Sequence, residues 1–256
     1  MAETIYTIPI KEAFEKRDGC PLCRLERELE TASLEYVSGA AMMEPDVRLE
    51  TNRMGFCREH MDALLAMKNR LALALTLETH LQDMRALVSA QTGPGGKKLL
   101  GRREQTEPGK PLYAASESCY VCSRVSGFAA KYVGNTVHMW KADPNFRKIF
   151  AEQPCFCLEH GGRLLDAANL ALKQEQYAVF RDTLVGIMTA WGEKLQEDIS
   201  GFIRSFDHRY AGQPLTEDQR RSVENAADYL TGRYHRSTRA DTPDSASFRR
   251  FPPFLS

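Results

Sequence analysis

The sequence predicts an all-α protein in which two tandem copies of one helical unit pack their long amphipathic helices as a bundle. Apolar residues recur at steps of three and four over long stretches, which is the spacing of one helix face. Stretches that alternate apolar and polar residues, as strands require, are few. A set of short motifs also occurs twice in the same order along the chain.

Two apolar stripes predict the longest helices, and each is interpreted as a packing face. The first lies at Leu64, Met67, Leu71, Ala74, Leu77, Leu81, Met84 and Val88. The second lies at Phe180, Leu184, Ile187, Trp191, Leu195, Ile199, Phe202 and Phe206. Residues 23–43 also have a helical pattern, whereas "TIYTIPI", residues 4–10, is a weak strand candidate.

Three pairs of motifs indicate an internal duplication. "CPLC" at Cys20 is matched by "CYVC" at Cys119, and "CREH" at Cys57 is matched by "CLEH" at Cys157. Between them, "EPDVR" is matched by "DPNFR". The duplication predicts a first repeat at 1–90, a Gly/Pro-rich linker at 91–118 that crosses the surface, and a second repeat at 119–210. Residues 211–256 are predicted as a short helix and a disordered tail from Arg233.

Composition excludes several classes of protein. The 34 basic and 34 acidic residues balance, which argues against a strongly basic nucleic-acid binder or a polybasic membrane surface. No apolar run approaches the ~20 residues of a membrane helix, and the first residues do not have the pattern of a signal peptide. The expected location is therefore the cytoplasm, where cysteines serve more often as metal ligands or redox thiols than as structural disulfides.

The paired motifs predict two zinc ions per chain. Three cysteines and one histidine in each half are the soft and borderline donors of a tetrahedral zinc site. The eight candidate ligands are Cys20, Cys23, Cys57, His60, Cys119, Cys122, Cys157 and His160. We expect each CxxC to present two thiolates from a tight turn, and each CxxH to open a helix with both donors on one face.

The expected pairing of ligands follows the repeats. Cys57 and His60 would share an ion with the CxxC at Cys20, and the second half would build its own site in the same way. The gap between the motifs is long enough for one helix and a second segment that runs back toward its start. Each ion would therefore crosslink the N-termini of two helices. A closed site of this kind is normally structural.

Two other interpretations of the cysteines stay open. They could be buried thiols that pack as small apolar groups, although this leaves the repeated histidines unexplained. "CPLC" also resembles the redox dithiol of a thioredoxin-type enzyme, but that fold needs a βαβ pattern that is missing here. Cys155 aligns with Gly55, so the duplication does not require it; it is a spare thiol near the metal, an exchanging ligand or a reactive group.

The remaining candidate residues carry weaker signals. His80 is expected in solvent, His138 on the surface or in the core, and His208 and His235 are lone histidines. The arginines that precede both CxxH motifs, Arg48 and Arg147, suggest a helix-end contact or ion pair rather than an anion clamp. No catalytic residue and no organic-cofactor motif is recognisable.

The cysteine and histidine motifs carry a family resemblance. Together with "YTIPIKEAFEK", "EPDVRLETNRMGFCREH", "KNRLALAL" and "SFDHRY", they resemble an uncharacterised family of bacterial proteins, common in anaerobes and known as a domain of unknown function. The resemblance covers roughly residues 5–210, while the region after "FDHRY" departs from the family pattern. It implies the duplicated zinc motifs and names no reaction.

Three hypotheses of function follow. The first is a binding or scaffolding module with two structural zinc sites and an unknown protein or small-molecule partner. The second is a zinc-dependent enzyme that acts on a small molecule in a pocket between the halves. The third is a redox or metal sensor whose thiols release zinc on oxidation. Whether the protein is an enzyme, its oligomeric state and its partner are left open.

Overall fold

The computed structural model describes residues 4–39, 44–92, 109–210 and 213–232, and these residues form helices and no strands. The all-α prediction is confirmed. In chain order the helices are α1 (Thr4–Glu15), α2 (Pro21–Ser38), α3 (Pro45–Met54), α4 (Arg58–Ala66), α5 (Arg70–Ser89), α6 (Lys110–Glu117), α7 (Tyr120–Ala142), α8 (Pro144–Ala151), α9 (Leu158–Ala171), α10 (Gln174–Arg204), α11 (Glu217–Arg220) and α12 (Ser222–Thr231). Short 3₁₀ turns lie at Ala90–Thr92 and His208–Tyr210. Within the described ranges, no helix has the length and apolar character needed to cross a membrane.

The weak strand candidate at 4–10 is wrong, because these residues belong to α1. Tyr6, Ile10 and Phe14 are buried at a spacing of four residues, so the chain gains most by burying one helical face. Pro9 lies inside the helix. The packing of the apolar face outweighs the backbone hydrogen bond that the proline removes.

The first apolar stripe does not form one helix. The chain breaks after Ala66 and restarts at Arg70, where the Asn69 side chain accepts a hydrogen bond from the Ala72 backbone N–H at 3.2 Å. Because the break interrupts the helical rotation, a stripe of apolar residues counted across it loses its phase. The face that α5 buries is therefore not the face that the stripe predicts. The α5 residues that are buried are Ala72, Leu73 and Thr76, whereas Leu71, Leu81 and Val88 of the predicted stripe are exposed.

The packing face predicted from the second stripe is largely correct. Phe180, Leu184 and Leu195 are buried along α10, and only Phe206, which follows the end of the helix, is strongly exposed. A break also precedes α10, but it lies at Leu172 and Lys173, before the stripe begins. The phase of the pattern is therefore preserved.

The predicted linker at 91–118 is helical in its last part. Gly109 precedes α6, Pro111 occupies its first turn, and the helix ends at Glu117. The centre of the linker and the tail from Arg233, which includes His235, lie outside the described residues.

The chain forms two compact units that do not follow the tandem halves. Unit 1 consists of the described residues of Met1–Leu29 and Phe128–His235, and unit 2 consists of those of Glu30–Gly127. The boundaries fall inside α2 and α7. Each unit therefore contains the opening helix segments of one half and the later helices of the other. The repeat boundaries and the duplication itself stay predictions.

Unit 1 has an aromatic core. Phe14, Phe150 and Phe156 lie with ring centroids 5.0–6.1 Å apart, and all three are fully buried. Trp140 packs edge-on against Phe180 at 5.1 Å. Contacts of this kind add to the free energy of burying the rings. The core thereby joins α1 to α8, α10 and the loop before α9.

Unit 2 is organised around α5, which packs against α3, α4 and α6. The loop before α4 is fixed to the start of α7 by two hydrogen bonds. The Ser118 hydroxyl donates to the Met54 carbonyl oxygen at 2.5 Å, and the Tyr120 N–H donates to the Gly55 carbonyl oxygen at 3.0 Å. These bonds bring the CxxH of one half beside the CxxC of the other.

Candidate metal centres

All four cysteine motifs lie at helix N-termini. Cys20 directly precedes α2 and Cys119 directly precedes α7, while Cys57 and Cys157 are the N-cap residues of α4 and α9. The second donor of each motif follows in the first turn of its helix. The positive end of a helix dipole favours a thiolate at this position. The two CxxC motifs therefore have the same local structure as the CxxH motifs, rather than lying in a turn.

The eight predicted ligands form two groups of four. Centre 1 consists of Cys20, Cys23, Cys157 and His160. Centre 2 consists of Cys57, His60, Cys119 and Cys122. Within each centre the four donor atoms lie within 4.8 Å of one another. Centre 1 lies in unit 1 and centre 2 in unit 2.

The sulfur–sulfur distances match those of tetrahedral zinc, and most of the nitrogen–sulfur distances are slightly shorter. With Zn–S bonds of about 2.3 Å and Zn–N bonds of about 2.0 Å, donors should lie roughly 3.5–3.8 Å apart. In centre 1 the Cys23 and Cys157 sulfurs are 3.5 Å apart, and His160 Nδ1 lies 3.1–3.7 Å from the three sulfurs. In centre 2 the Cys57 and Cys122 sulfurs are 3.8 Å apart, and His60 Nδ1 lies 3.1–3.3 Å from the sulfurs.

The expected pairing within each half is wrong. The CxxC of the first half joins the CxxH of the second half in centre 1, and the CxxH of the first half joins the CxxC of the second in centre 2. In centre 2, a backbone hydrogen bond holds the crossed arrangement. The Tyr120 N–H donates to the Gly55 carbonyl oxygen at 3.0 Å, which places the CxxH of the first half beside the CxxC of the second.

Both histidines present the same nitrogen to the sulfurs and the other nitrogen to a glutamate. His60 Nε2 lies 2.9 Å from Glu30 Oε1, and His160 Nε2 lies 3.2 Å from Glu26 Oε1. Arg163 Nη1 donates a hydrogen bond to the same Glu26 oxygen, at 3.2 Å. A carboxylate on the distal nitrogen fixes the ring and the tautomer with Nδ1 directed at a metal. The donor set and its support therefore fit zinc.

These glutamates could not be found from the sequence. Both belong to α2, in the acidic run "ERELE", and no residue at the equivalent positions of α7 is acidic. Neither the repeat nor a motif distinguishes Glu26 and Glu30 from the exposed Glu28 between them.

Without a metal, the centres hold protons. Burial lowers the pKa of His60, but hydrogen bonds to the thiols of Cys119 and Cys57 and to Glu30 outweigh it and raise the pKa to about 11. His160 behaves in the same way, and bonds to Cys157, Cys23 and Glu26 raise its pKa to about 12. Hydrogen bonds from neighbouring thiols and His160 lower the pKa of Cys157, whereas burial raises that of Cys20. A zinc ion must displace these protons.

Comparison with known proteins places the chain in a family. Residues 1–237 match the family described as a family of unknown function (DUF6062). The chain belongs to the DUF6062 family. No curated protein and no solved structure matches it. The DUF6062 match spans both centres and every described helix, so the resemblance to a family of unknown function is confirmed. The match continues past Tyr210, where the sequence predicts a departure from the family pattern, and the bacterial origin stays a prediction.

The difference between Gly55 and Cys155 has a structural cause in this DUF6062 chain. Gly55 has a φ of +62°, and a Cβ added there would lie 2.7 Å from His80 Nε2. His80 is fixed by its Nδ1, which lies 2.6 Å from the Asn52 carbonyl oxygen. His80 is thus half-buried beside centre 2 rather than solvated. The position aligned with Cys155 has no room for a side chain.

Cys155 lies beside centre 1 but is not one of its four donors. It is buried at 6% exposure and lines a cavity of about 50 Å³ together with the sulfur ligands Cys20, Cys23 and Cys157. Burial, followed by the charges of the Cys155 and Cys157 thiols, raises the pKa of Tyr229, which lines the same cavity. The prediction that Cys155 lies near the metal site is confirmed.

The remaining candidates are not part of either centre. His138 and His208 are exposed on the surface. Arg147 donates to the Trp140 and Lys141 carbonyl oxygens at 2.6 and 2.7 Å and stacks on the Trp140 ring. It therefore makes the helix-end contact that shapes the turn between α7 and α8. Arg48 is half-buried on α3.

Proposed function

We propose that this DUF6062 protein is a zinc-dependent scaffolding or binding module in which both zinc ions are structural. The observation that carries the proposal is the pair of preformed Cys₃His centres with donor spacings close to those of tetrahedral zinc. When bound, zinc supplies a charge-neutralising crosslink between four deprotonated donors. The protein would present a zinc-fixed helical surface to its partner.

Four protein donors in each centre support a structural role over catalysis. Catalytic zinc sites keep one position for water or substrate, whereas structural sites have four protein ligands. The buried histidines, at 1% exposure each, and their glutamate partners further hold the donors in place. The enzyme hypothesis would need a donor to leave.

The connectivity of the centres supports a role in folding. In centre 1 the two motifs are separated by more than 130 residues of sequence. Each centre joins two helix starts from different halves of the chain. Closing so long a loop has an entropic cost, and a metal clip offsets that cost for the unit it closes.

Elemental analysis of protein purified without added metal tests this proposal. We expect two zinc ions per chain. Removal of zinc with a chelator should lower the helical circular-dichroism signal and the thermal midpoint, and stoichiometric zinc should restore both. A protein that binds two zinc ions but keeps its full signal and midpoint after chelation would contradict the structural role.

A further inference from the structure

A cavity beside centre 1 is lined by the three sulfur ligands of the centre, Cys20, Cys23 and Cys157. Its walls come from the loop before α2, the loop before α9, α10 and α12, and contain Asp18, Cys155, Trp191, Asn225 and Asp228. Its volume of about 50 Å³ has room for a metal ion with roughly one or two waters. Cys20 is the half-exposed donor of centre 1, whereas Cys23 and Cys157 are buried.

The end of α12 also lies close to these sulfurs. A Cβ added to Gly232 would lie 3.7 Å from Cys157 Sγ and 3.8 Å from Cys23 Sγ. The Gly232 N–H donates to the Asp228 carbonyl oxygen at 2.9 Å, which holds this backbone at the helix end.

Centre 2 has no equivalent fourth sulfur. Gly55 occupies the aligned position, and His80 fills the space that a side chain would need. The two centres therefore have matching donor sets but differ in whether an additional cysteine lines a cavity beside the donors. Because the donor sets match, we expect this difference to affect the rate at which a metal ion enters and leaves more than the affinity with which it is bound.

We propose that Cys155 is a transient fifth ligand that makes centre 1 the exchangeable metal site, through which thiophilic ions such as Zn²⁺ or Cd²⁺ enter and leave. This rests on the proposed function, since it requires a metal in centre 1. Asp18, which is ion-paired with Arg24, and Asp228 also line the cavity. Sulfur is the donor that such ions prefer.

The exchange would conserve charge and electrons. With zinc in centre 1, Cys155 would take the place of Cys20 as a ligand, and the proton that Cys155 gives up would pass to the Cys20 sulfur. The oxidation state of the ion would not change. Cys23, Cys157 and His160 would hold the ion during the exchange.

Transfer of zinc from the full-length protein to an excess of a chromophoric chelator tests the proposal. We expect two phases of equal amplitude, with the faster one from centre 1. A serine at position 155 keeps the size of the side chain but binds zinc poorly, so Cys155→Ser should slow the fast phase by about tenfold or more, the effect of losing ~1.4 kcal/mol in the transition state. Asn225→Ala, a cavity residue without sulfur, should leave the fast phase unchanged.

The outcomes separate this inference from the proposed function. Cys155→Ser and wild type should both contain two zinc ions, and a wild type without zinc would overturn the proposed function. Two zinc ions that leave the wild type at one rate, or a fast phase that Cys155→Ser leaves unchanged, would overturn only the role of Cys155. A fast phase slowed equally by Asn225→Ala would assign the effect to cavity packing and also overturn it.

Discussion

The two glutamates on α2 set how each histidine can act. Glu30 Oε1 accepts a hydrogen bond from His60 Nε2, and Glu26 Oε1 lies in ion-pair contact with His160 Nε2, so that Nδ1 of each ring faces the sulfurs. Glu26 is itself buried and is further held by Arg163. A carboxylate in this position increases the basicity of the ring and its affinity for a metal.

Replacing these carboxylates by amides should weaken zinc binding. Glu26→Gln and Glu30→Gln each keep the size of the side chain but lose its charge, and each should lower the affinity of its own centre by about 10–100-fold. Competition with a chromophoric chelator measures the affinity. Glu28→Gln on the same helix is the matched control and should change nothing; wild-type affinity in both test variants would rule out this role of the glutamates.

Gly55 should resist substitution by any other residue. Its φ of +62° and ψ of −155° are open to glycine almost alone, and His80 lies where a Cβ would be. Gly55→Ala should destabilise the protein by about 1–3 kcal/mol, as measured by urea unfolding. Combining Gly55→Ala with His80→Ala should restore the unfolding free energy lost to the clash with the His80 ring, but not the free energy lost to backbone strain. An unfolding free energy for Gly55→Ala equal to that of the wild type would contradict this explanation.

At the scale of the helices, the sequence predicts the helical segments but not the break between α4 and α5. The helical period is visible in the sequence, but the start of α5 is fixed by the side chain of Asn69, which accepts from the Ala72 N–H and donates to the Ser38 carbonyl oxygen at 2.6 Å. Asn169 follows the second CxxH at the same distance as Asn69 follows the first, but it lies exposed inside α9. The same residue type thus caps a helix in one half and lies within a helix in the other.

The two asparagines give a matched pair of variants. Asn69→Ala removes the cap of α5 and the bond to Ser38 and should cost about 1 kcal/mol or more of unfolding free energy. Asn169→Ala should be neutral or slightly stabilising, since alanine has the higher helix propensity. Chemical denaturation measures both, and equal effects of the two substitutions would argue against the capping role.

At the scale of the whole molecule, tertiary contacts decide which motifs meet. The eight donors and the all-α fold follow from spacing and period, which are local properties of the sequence. The pairing of donors depends on contacts between segments far apart in the sequence, such as the hydrogen bond from the Tyr120 N–H to the Gly55 carbonyl oxygen. Those are tertiary properties, so the repeat suggested a pairing within halves that the structure corrects.

Zinc uptake should release protons and zinc retention should fail in acid. The metal-free centres hold protons on His60 and His160, whose pKa values are raised to about 11 and about 12. At neutral pH these protons must leave for Nδ1 to bind zinc, so uptake should acidify a weakly buffered solution. As pH falls, protons compete more strongly and zinc should be lost. Uptake without proton release, followed with a pH indicator, would contradict this description of the centres.

The zinc content of two variants tests the crossed pairing most directly. One variant removes the whole of centre 1 through Cys20→Ser, Cys23→Ser, Cys157→Ser and His160→Ala. The other removes all four donors of the first half through Cys20→Ser, Cys23→Ser, Cys57→Ser and His60→Ala. The crossed centres predict one tightly bound zinc in the first variant and none in the second. One zinc in the second variant and none in the first would show that each half binds its own ion and would contradict the structure.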